Sequence, residues 1–87
     1  MAGYSLEIRR SAARELEGIE PETQRRKIIE RIRALADEPH PPGAQKLAGS
    51  KHAYRMRQGD YRVLYEILET ERQIVVVKIG HRREVYR

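Results

Sequence analysis

Pro39, Pro41, Pro42 and Gly43 fall within five residues and divide the chain into two halves that no single helix or strand bridges. Each proline fixes φ and lacks an amide donor, so regular structure stops on one side and restarts on the other. Before the cluster, after one opening strand, apolar residues recur at helical spacing. After it they alternate or run together, as in strands.

In the first half, Tyr4, Leu6 and Ile8 alternate with Ser5, Glu7 and Arg9, the period of a half-buried strand. Ala12, Leu16 and Ile19 then follow helical spacing, and Gly18 marks where that short helix ends. Pro21 is expected at the first position of a second helix, where its missing N–H costs nothing. Ile28, Ile29, Ile32, Leu35 and Ala36 form one apolar stripe along it. Arg25, Arg26, Lys27, Arg31 and Arg33 fill its other faces and are read as solvated.

In the second half, Ala53–Arg57 and Tyr61–Leu68 flank Gly59-Asp60, the signal of a hairpin with a two-residue turn. A further turn at Glu69–Arg72 leads into Gln73–Ile79. Its core, Ile74-Val75-Val76-Val77, is apolar on both faces and belongs inside a sheet. The expected fold class is α+β: a strand, two helices, then an antiparallel three-strand meander, with the helices packed on one face of the sheet.

A chain of 87 residues has room for one core, so residues 1–87 are read as a single domain. There is no cysteine to form a disulfide, no run of the length a membrane span needs, and no signal-peptide pattern. A cytoplasmic protein without a membrane partner is expected. Nine basic and eight acidic side chains fall in residues 1–50, against nine and five in residues 51–87. The positive excess thus lies in the strand-rich half and is mostly arginine, whose planar fork suits phosphate.

A two-residue turn makes residues whose numbers sum to 119 face each other. Tyr54 then meets Tyr65 and Met56 meets Val63 on an apolar face under the helices. Arg57 meets Arg62 on the other face, and Arg55 lies two residues along. Like charges directly opposite destabilise a sheet, and an anionic ligand resolves the conflict. Leu64, Val75, Val77 and Ile79 are expected to floor this arginine cleft. The alternative is that the arginines splay into water or pair with Glu66 and Asp60.

The closing segment, Gly80-His81-Arg82-Arg83-Glu84-Val85-Tyr86-Arg87, adds a histidine, arginines and a tyrosine just past the last strand. Tyr86 can stack on a base or take part in proton transfer, or simply pack on the sheet. His81 can titrate near neutrality. Metal ligation is not indicated: His40, His52 and His81 lack ligand spacing, and Glu69 and Glu71 sit in a turn. No glycine-rich phosphate loop is present in the sequence. No cofactor is expected.

These residues resemble a known family. Pro39, Lys46-Leu47-Ala48-Gly49, the block from Tyr54 to Tyr65 and the run from Ile79 to Arg87 are together similar to the RelE branch of the RelE/ParE toxins. The resemblance extends over nearly the whole chain, opening strand and helices included. It implies a toxin of a type II toxin–antitoxin system that binds the ribosomal A site and cleaves mRNA there. The RNA's own 2′-hydroxyl attacks the adjacent phosphate, and no metal takes part.

By this resemblance Arg62 corresponds to an arginine that contacts the scissile phosphate. Arg82 corresponds to a second arginine stabilising transition-state or leaving-group charge, and Tyr86 to a tyrosine that stacks on or orients the substrate. Arg55 and Arg57 join the catalytic set where better-known members carry lysines. Lys51, His81 and Arg83, with Arg55 and Arg57, are read as substrate contacts. Arginine cannot serve as a general base, which leaves Tyr86, His81, a ribosomal RNA group or no specific base. The implied partners are a RelB-like antitoxin, the ribosome and mRNA, with operator DNA bound only through the antitoxin complex. Some of the helical arginines are available for ribosome or antitoxin contact.

Two other functions compete. A ParE-like toxin that blocks DNA gyrase shares the fold but has no need of an arginine cluster with a terminal tyrosine. A non-catalytic single-strand binder needs several stacking aromatics. This chain has no Trp or Phe, and Tyr54, Tyr61 and Tyr65 are assigned to the core face.

Overall fold

The computed structural model describes residues 3–81. Strand β1 (Ser5–Ile8) leads into helix α1 (Arg10–Glu17) and helix α2 (Glu22–Ala34). A short strand β2 (Gln45–Lys46) precedes β3 (Ala53–Gln58), β4 (Tyr61–Leu68) and β5 (Gln73–His81). The five strands form one sheet in the order β1-β5-β4-β3-β2. The α+β class and the meander are as the sequence indicates, with β1 added parallel to β5. Flanked by β1 and β4, β5 lies within the sheet, where its apolar run was expected.

The helices cover one face of the sheet. Ala12, Ile28, Ile32 and Leu35 pack there on Met56, Val63, Tyr65, Ile67, Ile74, Val76 and Ile79, all essentially excluded from solvent. The Tyr54–Tyr65 and Met56–Val63 pairs lie opposite each other as expected. The two tyrosine rings stack at 5.9 Å between centroids. Tyr65 also donates a hydrogen bond to the Pro39 carbonyl at 3.0 Å, which fastens the proline-rich loop to the sheet.

Several expectations need correction. Pro21 caps α2 from outside it, and the helix begins at Glu22. Strand β2 has no counterpart in the sequence outline, being only two exposed residues long. Arg25 and Arg31 are structural rather than merely solvated: Arg25 donates to the Ile19 carbonyl at 3.0 Å, and Arg31 to the Gln58 side chain at 3.0 Å. The β4–β5 register shifts between Leu64 and Tyr65, so that Leu64 faces Lys78 while Tyr65 faces Val76. Val77 is the extra residue of this bulge. The bulge resets the alternation, and Ile79 joins the core on the helix side instead of flooring the arginine face. Leu64, opposite Arg55, and Val75, opposite Glu66, remain on the arginine face.

Candidate functional site

The β3–β4 hairpin sets the arginine geometry. Gly59 takes φ +61, the left-handed conformation required at the first position of this tight turn. With two residues in the turn, Gln58 faces Tyr61 and Arg57 faces Arg62. Arg55 faces Leu64 on one side and Gln45 of β2 on the other. Gln45, Arg55, Arg57 and Arg62 project from the sheet face that the helices leave uncovered, whereas Gln58 and Tyr61 lie on the helix side.

There they line a cleft of about 320 Å³ together with Gly43 and Gln45. Arg55 and Arg62 are half-buried and Arg57 is exposed. Neither Glu66 nor Asp60 contributes to the described lining, which contains no carboxylate. Three guanidiniums converging on one concavity make a site for an anion with several oxygens.

The helices brace this cleft from behind. Arg31 donates to the Arg57 carbonyl at 3.3 Å, and the Gln24 amide donates to the Gln58 carbonyl at 3.0 Å. The backbone of β3 is thus fixed where Arg57 projects to the other face. On the cleft side, Arg55 donates to the Gln45 side-chain oxygen at 2.8 Å. Sequence reasoning missed Gln45 and Gly43. Their approach to the arginines depends on β2, which carries no periodic signal.

Lys51 and His81, the other described candidates, lie away from the cleft. Lys51 is exposed in the loop between β2 and β3 and does not line the cleft. His81 faces Tyr61 across the sheet, with ring centroids 5.8 Å apart. It belongs to a separate groove of about 460 Å³ on the helix side, lined also by Arg14, Glu15 and Ile19. His81 and the arginine cluster therefore occupy opposite faces of the sheet. Arg82, Arg83 and Tyr86 lie outside the described residues.

Comparison with known proteins is consistent at three levels. A family model described as the ParE toxin of the type II toxin–antitoxin system parDE matches residues 6–86. A Methanocaldococcus jannaschii protein named as toxin RelE1 is 31% identical over 87 residues, covering 97% of this chain and 96% of its own. An Escherichia coli protein named as RelE-like toxin is 28% identical, covering 91% of this chain and 83% of its own. The Pyrococcus horikoshii RelE–RelB complex contains a chain that superposes with a TM-score of 0.82 at 29% identity, covering 98% of this chain and 100% of that one.

Proposed function

The chain belongs to the ParE toxin family, within the RelE/ParE superfamily of type II toxin–antitoxin toxins, and we propose that, like the RelE branch it resembles, it is a ribosome-dependent endoribonuclease cutting mRNA in the A site. The observation that carries the reading is the placement of Arg57 directly opposite Arg62, with Arg55 alongside, in a cleft whose described lining holds no carboxylate. A phosphodiester entering this cleft is met by guanidiniums from both strands, each with several donors for its oxygens.

In the proposed reaction the 2′-oxygen of the RNA forms a bond to the adjacent phosphorus as the bond to the 5′-oxygen breaks. The products are a 2′,3′-cyclic phosphate and a free 5′-hydroxyl. The 2′-hydroxyl gives up a proton and the departing 5′-oxygen gains one. Arg62 and Arg57 bind the non-bridging oxygens and stabilise the charge that grows on them, with Arg55 beside them; their charge serves where a metal is not invoked. Positioning the 2′-hydroxyl in line supplies much of the remaining acceleration.

Arginines do not accept the 2′-proton. His81, on the far face, is poorly placed to do so, which leaves Tyr86, a ribosomal RNA group or no specific base. A RelB-like antitoxin is the proposed inhibitor, by analogy with the complex of the Pyrococcus horikoshii relative.

The test is primer extension on mRNA translated by purified ribosomes, with the wild-type protein, with Arg62→Ala, and with ribosomes omitted. Cuts within A-site codons that need the ribosome and fade with Arg62→Ala are expected. An intact message in every lane, with protein competent to bind antitoxin, overturns the nuclease reading. The match to a ParE family model makes gyrase inhibition the reading to test next.

A further inference from the structure

We infer that Gln45 is a positioning residue of the arginine cleft: its side-chain oxygen holds the Arg55 guanidinium in the orientation that receives the phosphodiester. The inference rests on the proposed use of the cleft for RNA and goes beyond the cleft arginines to a residue on a different strand.

Three observations converge on it. Gln45 and Arg55 are directly opposite in the β2–β3 register, so their side chains leave the sheet on the same face. The Gln45 Oε1 accepts a hydrogen bond from Arg55 at 2.8 Å, a charge-assisted contact of short length. Both residues line the cleft that contains Arg57 and Arg62.

An arginine on a sheet surface has long, freely rotating side-chain bonds, and ordering it on each substrate encounter costs conformational entropy. A neutral acceptor is the economical way to lower that cost. It fixes one edge of the guanidinium while leaving its full positive charge for phosphate, whereas a carboxylate in the same place would cancel that charge.

The experiment is a double-mutant cycle on single-turnover cleavage of mRNA in programmed ribosomes, with wild-type protein, Gln45→Met, Arg55→Ala and the double variant. Methionine keeps the length of the side chain and removes its acceptor. Gln45 is exposed on an edge strand, so the thermal midpoint of Gln45→Met should stay near the wild-type value. The cleavage rate at saturating protein should fall about tenfold, the scale of one charge-assisted hydrogen bond. The half-saturating concentration should change little, since docking on the ribosome uses a wider surface. In the Arg55→Ala background the same substitution should have no further effect.

An equal loss in both backgrounds, or a Gln45→Met protein as fast as wild type, overturns the inference while leaving the arginine cleft intact as the RNA site. If Arg55→Ala itself cleaves at the wild-type rate, the reading of Arg55 as a substrate contact fails, and the role of Gln45 fails with it.

Discussion

The Glu15 carboxylate accepts a hydrogen bond from the backbone N–H of Ile79 at 2.8 Å, joining α1 to the end of β5. The contact is needed because β1 is short. Its last pair with β5 is Ile8 opposite Val76, and the Arg9 N–H closes on the Val76 carbonyl at 3.0 Å. Beyond that point β5 has no strand neighbour on this side among the described residues, and the carboxylate takes the place of one. The same carboxylate pairs with Lys78 at 3.1 Å.

Glu15→Ala should therefore destabilise the fold by about 1–3 kcal/mol, because it strips a part-buried amide of its acceptor. Glu15→Gln keeps a neutral acceptor and gives up mainly the partly exposed ion pair, so its loss should stay below about 1 kcal/mol. Urea denaturation of the two variants measures the difference. Equal losses would mean that the Lys78 pair, and not the amide, carries the stabilisation.

A second expectation concerns the pair on the cleft face. Arg57 is exposed and directly opposite Arg62, so Arg57→Thr removes a cross-strand repulsion and introduces a good strand former. Stability should rise by about 0.5 kcal/mol. Ribosome-dependent cleavage should fall at the same time, by about tenfold or more if Arg57 stabilises the transition state. Denaturation and single-turnover cleavage on the same preparation check both halves. A variant gaining stability without losing activity would place Arg57 outside the chemistry.

The hairpin was legible because two independent signals agree there. Gly59-Asp60 specifies the turn, and the Tyr54, Met56, Val63, Tyr65 alternation admits one register; both hold in the fold. The β5 bulge was not legible, since Ile74 to Val77 are all apolar and contain no alternation whose interruption can be seen. That one residue sends Ile79 to the core and places His81 with Tyr61 and Arg14 on the helix side, away from the arginines. Arg31 illustrates a different limit. Its position on the polar side of α2 is readable, but its contact with β3 depends on how the helix lies across the sheet. Gln45 escaped notice because a two-residue strand has no period at all.

Gly59 gives a third test. Its φ of +61 is disfavoured for side-chain-bearing residues, and a Cβ added there would collide with the Gln24 amide that bonds to the Gln58 carbonyl. Gly59→Ala should cost more than about 1 kcal/mol, from backbone strain together with displacement of that amide. In the Gln24→Ala background the steric part is relieved, so the same glycine substitution should cost less. Denaturation of the four proteins reads this coupling. Purely additive losses would show that backbone strain acts alone.

Tyr65 supplies a test with a pH axis. Its ring is fully buried and its hydroxyl donates to the Pro39 carbonyl. Burial, reinforced by the neighbouring Tyr54 and opposed by the Arg31 guanidinium, pushes its pKa up to about 12. The unfolded chain releases this proton near its ordinary value of 10.0, whereas the folded chain retains it to about 12. Folded protein therefore binds more protons between these values, and stability must fall as pH rises through that window. The contribution is fully present below the unfolded value and is lost as the folded value is passed. Tyr65→Phe removes both the hydrogen bond and this titration. It should be less stable than wild type by about 1 kcal/mol near neutrality. The gap should narrow as the pH is raised past 10.0, because only the wild type carries the Tyr65 penalty. Urea midpoints of the two proteins at a series of pH values follow the gap directly. Because the Pro39 loop leads to Gly43 at the cleft wall, Tyr65→Phe should also slow ribosome-dependent cleavage modestly near neutrality. A gap that stays constant into the alkaline range would mean that Tyr65 ionises in the folded protein as readily as in the unfolded chain.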